Sequence, residues 1–238
     1  MEHDHSPESI RARLKAGPVA SYLRDWVYGG IDGSVTTFAV VSGVIGAQLA
    51  PSVILILGAA NLVADGFSMA AGNYSATRTE RQERETVRAI EERHLDHDPE
   101  GEREEVRQIC VAKGFAGPEL ESILGVITSD RTRWIEFMLT EEYGLALQVR
   151  SATKAAWSTF VAFIVCGLVP LLPFVFTIPR AFEVSIVMTL AVFFGIGSAK
   201  SRWLTVPWWK AGLETLTTGA LAAAFAYIVG VLLKNVGS

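Results

Sequence analysis

The chain has only two cysteines in 238 residues, Cys110 and Cys166, and they form no CxxC pair. Neither a disulfide framework nor a thiolate zinc site has support. No glycine-rich phosphate loop, nucleophile–base constellation or nucleic-acid patch occurs. The expectation is a protein that is not an enzyme, carries no prosthetic group and takes no nucleic-acid partner. The first nine residues, MEHDHSPES, lack the basic start and apolar core of a cleaved signal peptide. His3, Asp4 and His5 read as part of a polar tail, with weak metal binding as the alternative.

Charge is also scarce over long stretches. Residues 75–154 hold 17 of the 25 acidic residues, and the flanks are apolar runs with few charges. The mean hydropathy of +0.32 therefore averages two populations. The expected fold is all-α: a polytopic membrane protein with a helical insert. A helix of ~20 residues crosses the ~30 Å hydrocarbon layer. Five runs are long enough, at about 27–50, 52–74, 155–176, 181–199 and 211–233. The expected division is a tail (1–26), spans one and two (27–74), the insert (75–154) and spans three to five (155–238). In the tail, Ser9–Ala16 is a short amphipathic piece that Gly17-Pro18 interrupts, and Arg24 and Asp25 are expected among the headgroups. Pro170 and Pro173 predict a kink or exit in the third span. Gly219, Ala222, Ala223, Ala226 and Gly230 give the fifth a close-packing face.

No strong break separates the second span from the insert, so its helix is expected to continue into water. Asp98-Pro99 reads as a stop and restart, Gly114 as an end, and Gly117-Pro118 and Asp130 as further starts. Arg11, Arg13, Lys15, Arg24, the insert, Lys200, Arg202 and Lys210 fall on one side of the five spans; Arg180 and Lys234 fall on the other. The positive-inside rule places the N-terminus and insert in the cytosol and the C-terminus outside. Trp26, Trp157, Trp203, Trp208 and Trp209 map to the cytosolic interface as an aromatic belt.

The stretch NLVADGFSMAAGN carries Asn61, Asp65, Met69 and Asn73, spaced by four, on one slowly drifting helical stripe. A carboxylate at membrane depth is costly and faces a cavity, a partner or a permeating ion. A thioether beside it suits transition metals better than magnesium or calcium. In the first span Asp32 sits among Gly29, Gly30 and Gly33, with Thr36 one turn on. Asp32 reads either as a helix cap at the interface or as part of the same ion path. The short connection at Pro51 makes the two spans antiparallel neighbours, which brings Asp32 and Asp65 to one side of the membrane.

The insert repeats one geometry. Glu91 and His94 are three apart, as are Glu102 and Glu105, and Met138 precedes Glu141 and Glu142 by three and four. Such pairs share a helix face, and bundled pairs of this kind hold iron or manganese. The plainer reading is a solvated face with i,i+4 salt bridges, and for Met138 a place in the core.

Four motifs together resemble the vacuolar iron transporter family, in a prokaryotic-type version. They are DGSVTTFAVVSG at 32–43, LVADGFSMAAGNY at 62–74, FMLTEEYGL at 137–145 and GLVPLLPF at 167–174. The resemblance covers nearly all of the chain from about residue 20. It implies a proton-coupled transporter that moves iron, often manganese, out of the cytosol. It further implies a homodimer with the path near its interface, and a cytosolic metal-binding domain between spans two and three. By the resemblance Asp32 and Met69 match pathway residues. Glu91, His94, Glu102, Glu105, Met138 and Glu142 match the domain's ligand positions. Asn61 stands where eukaryotic members place a glutamate, and Asp65 is one turn on. His94 stands where a glutamate can occur, and Leu139 where a second methionine can.

The expected function is export of Fe²⁺ or Mn²⁺ by proton antiport across a prokaryotic cytoplasmic membrane. The alternative is a membrane-anchored metal buffer. An iron-oxidising membrane enzyme would need a fuller di-iron ligand set. Glu183 and Glu214, at span ends, read as interfacial charges or as part of a proton route.

Overall fold

The computed structural model describes residues 4–17, 20–146, 150–203 and 205–233. His3, Pro18 and Lys234 lie outside these residues, as do the side chains of Trp203, Ala226 and Gly230. The structure is all-helical. In order the helices are α1 (Pro7–Ala16), α2 (Leu23–Gly46), α3 (Pro51–His97), α4 (Pro99–Ala112), α5 (Gly117–Thr128), α6 (Arg131–Glu141), α7 (Ala152–Leu168), α8 (Leu172–Val175), α9 (Ala181–Lys200) and α10 (Trp208–Leu233). Five stretches are long and apolar enough to cross a membrane: α2, α3, Ala152–Val175, α9 and α10. The insert lies between the second and third. The chain forms two compact units, one of residues 1–15, 21–75 and 151–238, the other of 16–20 and 76–150.

In the first unit α2 packs against α7, α9 and α10, and α9 packs against α10. The α2–α7 crossing is close because of two glycines. A Cβ at Gly29 would lie 2.4 Å from Thr159 O, and one at Gly33 would lie 2.3 Å from Phe163 O. In a membrane, small residues of this kind let backbones meet and gain dispersion contact. Val41, Val44, Ile54, Leu62, Phe163, Leu171 and Phe174 form the core beside this crossing. Gly219 of α10 lies directly against the Phe193 ring of α9. Pro170 and Pro173 end α7 in a 3₁₀ turn before α8, and Ser185 Oγ donates to Pro170 O at 2.8 Å. That bond satisfies one of the carbonyls exposed by the break.

Asp25 corrects the sequence expectation. It is 4% exposed and does not lie among headgroups. Asn73 Nδ2 donates to Asp25 Oδ1 at 2.9 Å and to Thr159 Oγ1 at 2.7 Å. This links α2, α3 and α7 through one amide.

The second unit has a core of its own. Val106, Cys110, Leu120, Leu124, Ile127 and Met138 form one cluster, and Leu95, Ile135 and Leu139 form another. α3 continues past Ser75 without a break and ends at His97. Asp98 then caps α4, accepting from Gly101 N at 3.0 Å, with Pro99 in the first turn. A Cβ at residue 101 would come within 2.6 Å of Asp98 Oδ2, so glycine permits this cap.

Candidate metal centre

The sharp turn at Asp98 brings the last turns of α3 against the first turn of α4. His94 Nδ1 comes to 3.1 Å from Glu102 Oε1 and 3.8 Å from Glu91 Oε1. One donor atom from each of Glu91, His94 and Glu102 falls within 4.8 Å of the other two. Glu91 is 1% exposed and Glu102 4%, whereas the His94 ring is exposed. The carboxylates therefore form a buried floor, with the imidazole at its open edge.

Buried carboxylates need partners, because an unmet polar atom costs about 1–3 kcal/mol and a charged one more. Glu91 Oε2 and Glu102 Oε2 are buried and have no hydrogen-bond partner among the described residues. A divalent cation would satisfy both. The imidazole nitrogen shifts such a site from calcium toward first-row transition metals.

Electrostatics agree with a cation site. Burial pushes Glu102 up to about 8, aided by the negative charges of Glu91, Glu105 and Glu142 around it. Glu142 is pushed up by desolvation and then by Glu105 and Glu91, while His94 acts in the opposite direction. Glu105 and Glu142 are exposed yet stand within electrostatic reach of the floor.

A carboxyl whose pKa rises on folding stabilises the fold fully below its ordinary value of 4.5, and loses that contribution as pH rises through about 8. The metal-free protein should therefore melt at a lower temperature near pH 9 than near pH 5. Glu102→Gln should flatten this difference. Thermal unfolding of the metal-free chain in detergent at both pH values checks it.

Two other sequence candidates have different surroundings. Met138 is 1% exposed and packs in the apolar cluster with Val106 and Leu124. Glu141 Oε2 lies 2.5 Å from Lys113 Nζ, in an ion pair. Sequence reading passed over Tyr143, whose hydroxyl donates to Glu91 Oε1 at 3.0 Å. Its only sequence signal is its place directly after Glu142.

In the first unit, Asn61 Nδ2 donates to Thr36 Oγ1 at 3.4 Å, and Thr36 Oγ1 donates to Asp32 O at 2.9 Å. Asp32 and Asp65 are close enough for their charges to repel. Asp32 is half-buried and Asp65 exposed, while Met69 packs against the Val41–Phe163 core. Asn73 faces Asp25 and Thr159. A groove of about 560 Å³ beside Asp32 is lined by Arg24, Val27, Tyr28, Ile31 and Val35 among others.

Comparison with known proteins accords with this layout. Residues 23–231 match the VIT family. Vacuolar iron transporter 2 of Oryza sativa subsp. japonica is 32% identical over 223 residues, 92% of this chain and 89% of that protein. The vacuolar iron transporter of Toxoplasma gondii is 31% identical over 229 residues, 91% of this chain and 76% of its own length. Vacuolar iron transporter 1 of Arabidopsis thaliana is 29% identical over 236 residues, 98% and 92% of the two chains. With five spans, a helical insert and a clustered Glu–His–Glu donor set, the chain belongs to the VIT family, the vacuolar iron transporters, a family of transporters rather than enzymes.

Proposed function

We propose that the protein exports Fe²⁺, and Mn²⁺ as a close second, from the cytosol in exchange for protons. The observation that carries this reading is the pair of partnerless carboxylate oxygens, on Glu91 and Glu102, buried beside His94. A floor of this kind captures a divalent cation. Glu105 and Glu142 add charge around it, while Met138, packed in the insert's apolar core, and Glu141, paired with Lys113, stand outside the floor. The path through the membrane runs by Asp32, Thr36, Asn61, Asp65, Met69 and Asn73. Protons use the same carboxylates, because a metal and a proton compete for one ligand.

A second copy of the chain completes the path. Asp65 is exposed on α3, on the helix face it shares with Asn61, Ser68 and Gly72. A carboxylate facing lipid there would cost roughly 2.5–3.5 kcal/mol, so a homodimer contact at this face supplies cover. The distribution of Lys and Arg supports a cytosolic N-terminus and insert and an external C-terminus. The relatives named above are eukaryotic; the departure at Asn61, where eukaryotic members place a glutamate, favours a prokaryotic-type member in a cytoplasmic membrane, and the altered ligand set including His94 bears on the ranking of Fe²⁺ against Mn²⁺. A metal-buffering role is the second reading, favoured by the insert's separate core and by the centre lying wholly within that unit.

Flux in proteoliposomes separates the two. Fe²⁺ and Mn²⁺ entry should follow an imposed pH gradient and collapse without it. If neither ion moves while the purified chain binds both, the anchored buffer is the correct reading.

A further inference from the structure

Tyr143 lies just beyond α6, where Gly144 adopts a left-handed backbone (φ 66°) and turns the chain. Its hydroxyl donates to Glu91 Oε1 at 3.0 Å. Glu91 Oε2 has no such partner, and at 1% exposure the residue receives little help from solvent. The two oxygens of one carboxylate are thus unequal. The hydrogen bond takes one lone pair of Oε1, the oxygen that also lies 3.8 Å from His94 Nδ1, while Oε2 accepts no hydrogen bond from the described residues.

This asymmetry bears on which ion fits. Ca²⁺ takes about 6–8 oxygens and often grips a carboxylate through both. Transition-metal ions accept about four to six donors, and one oxygen from each carboxylate serves them. We infer that Tyr143 is a specificity-determining residue: its phenol occupies one lone pair of Glu91 Oε1 and so disfavours the two-oxygen grip that Ca²⁺ takes at the Glu91–His94–Glu102 centre. Tyr143 acts through Glu91 and is not itself a ligand. This inference rests on the centre being a metal site.

The test compares the full-length protein with its Tyr143→Phe variant in lipid nanodiscs. Bound Mn²⁺ is read by electron paramagnetic resonance while Ca²⁺ is added as competitor. Tyr143 is 40% exposed, so loss of one oxygen leaves the core intact. The Ca²⁺ concentration that displaces half of the Mn²⁺ should fall about tenfold in the variant, in the range typical of outer-shell ligand partners. Equal half-displacement in the two proteins overturns the inference. A Glu91→Gln/Glu102→Gln chain measured alongside keeps the two readings apart. If it binds Mn²⁺ as the wild type does, the metal centre itself is wrong and the inference falls with it. If it loses Mn²⁺ and Tyr143→Phe still changes nothing, the inference about Tyr143 alone fails.

Discussion

Asp32→Ala should bring metal flux in proteoliposomes to the background of empty vesicles, while the full chain still binds Mn²⁺ at its Glu91–His94–Glu102 centre. The two effects separate because Asp32 and the Glu91–His94–Glu102 set belong to different compact units. Asp32 stands on α2, in electrostatic contact with Asp65 of α3 and beside a groove of about 560 Å³. Removing the carboxylate leaves a path without the charge that offsets dehydration of a divalent ion. Asp32→Asn is the stricter variant, since it keeps volume and removes only charge. If Asp32→Ala transports at the wild-type rate, the pathway assignment of this residue is wrong.

The double change Glu91→Gln/Glu102→Gln has the second large effect. Both carboxylates are buried, and each has one oxygen without a partner. Two neutral amides in their place remove the negative charge of the floor and leave His94 as its single strong donor. Affinity for Mn²⁺ should fall at least on the order of 100-fold, as ligand charge and number set the affinity of such sites. Transport should respond differently from binding. At scarce metal the flux should drop, and at saturating metal it should recover, because capture is impaired and the membrane path is not. A flux equally low at all metal concentrations would place these residues in the path itself.

These expectations draw unequally on sequence. The five spans were legible because apolar runs of sufficient length have few other uses. The Asp98-Pro99 boundary was legible too, since the cap and the proline act within one turn. The i,i+3 pairing of Glu91 with His94 follows from helical geometry, and their meeting with Glu102 follows from the tightness of that turn. Asp25 was misread. Its partner Asn73 is 48 positions away and Thr159 is 134 away, so no local pattern shows its burial. Glu141 and Glu142 are neighbours in an identical pattern, yet Lys113 pairs with Glu141, while Glu142 interacts electrostatically with the buried carboxylates.

Periodicity, hydropathy and turn chemistry are properties of short stretches. They were enough to set the helices, their number across the membrane and the faces on which carboxylates repeat. Which face turns inward depends on how helices far apart in the chain cross. Close α2–α7 packing at Gly29 and Gly33 lies beside the burial of Asp25. The stacking of α3, α4 and α6 left two carboxylate oxygens without partners and set the phenol of Tyr143 against one of the same carboxylates. Those outcomes are sums over many weak non-local contacts, so packing had to choose among arrangements that the linear pattern leaves equivalent.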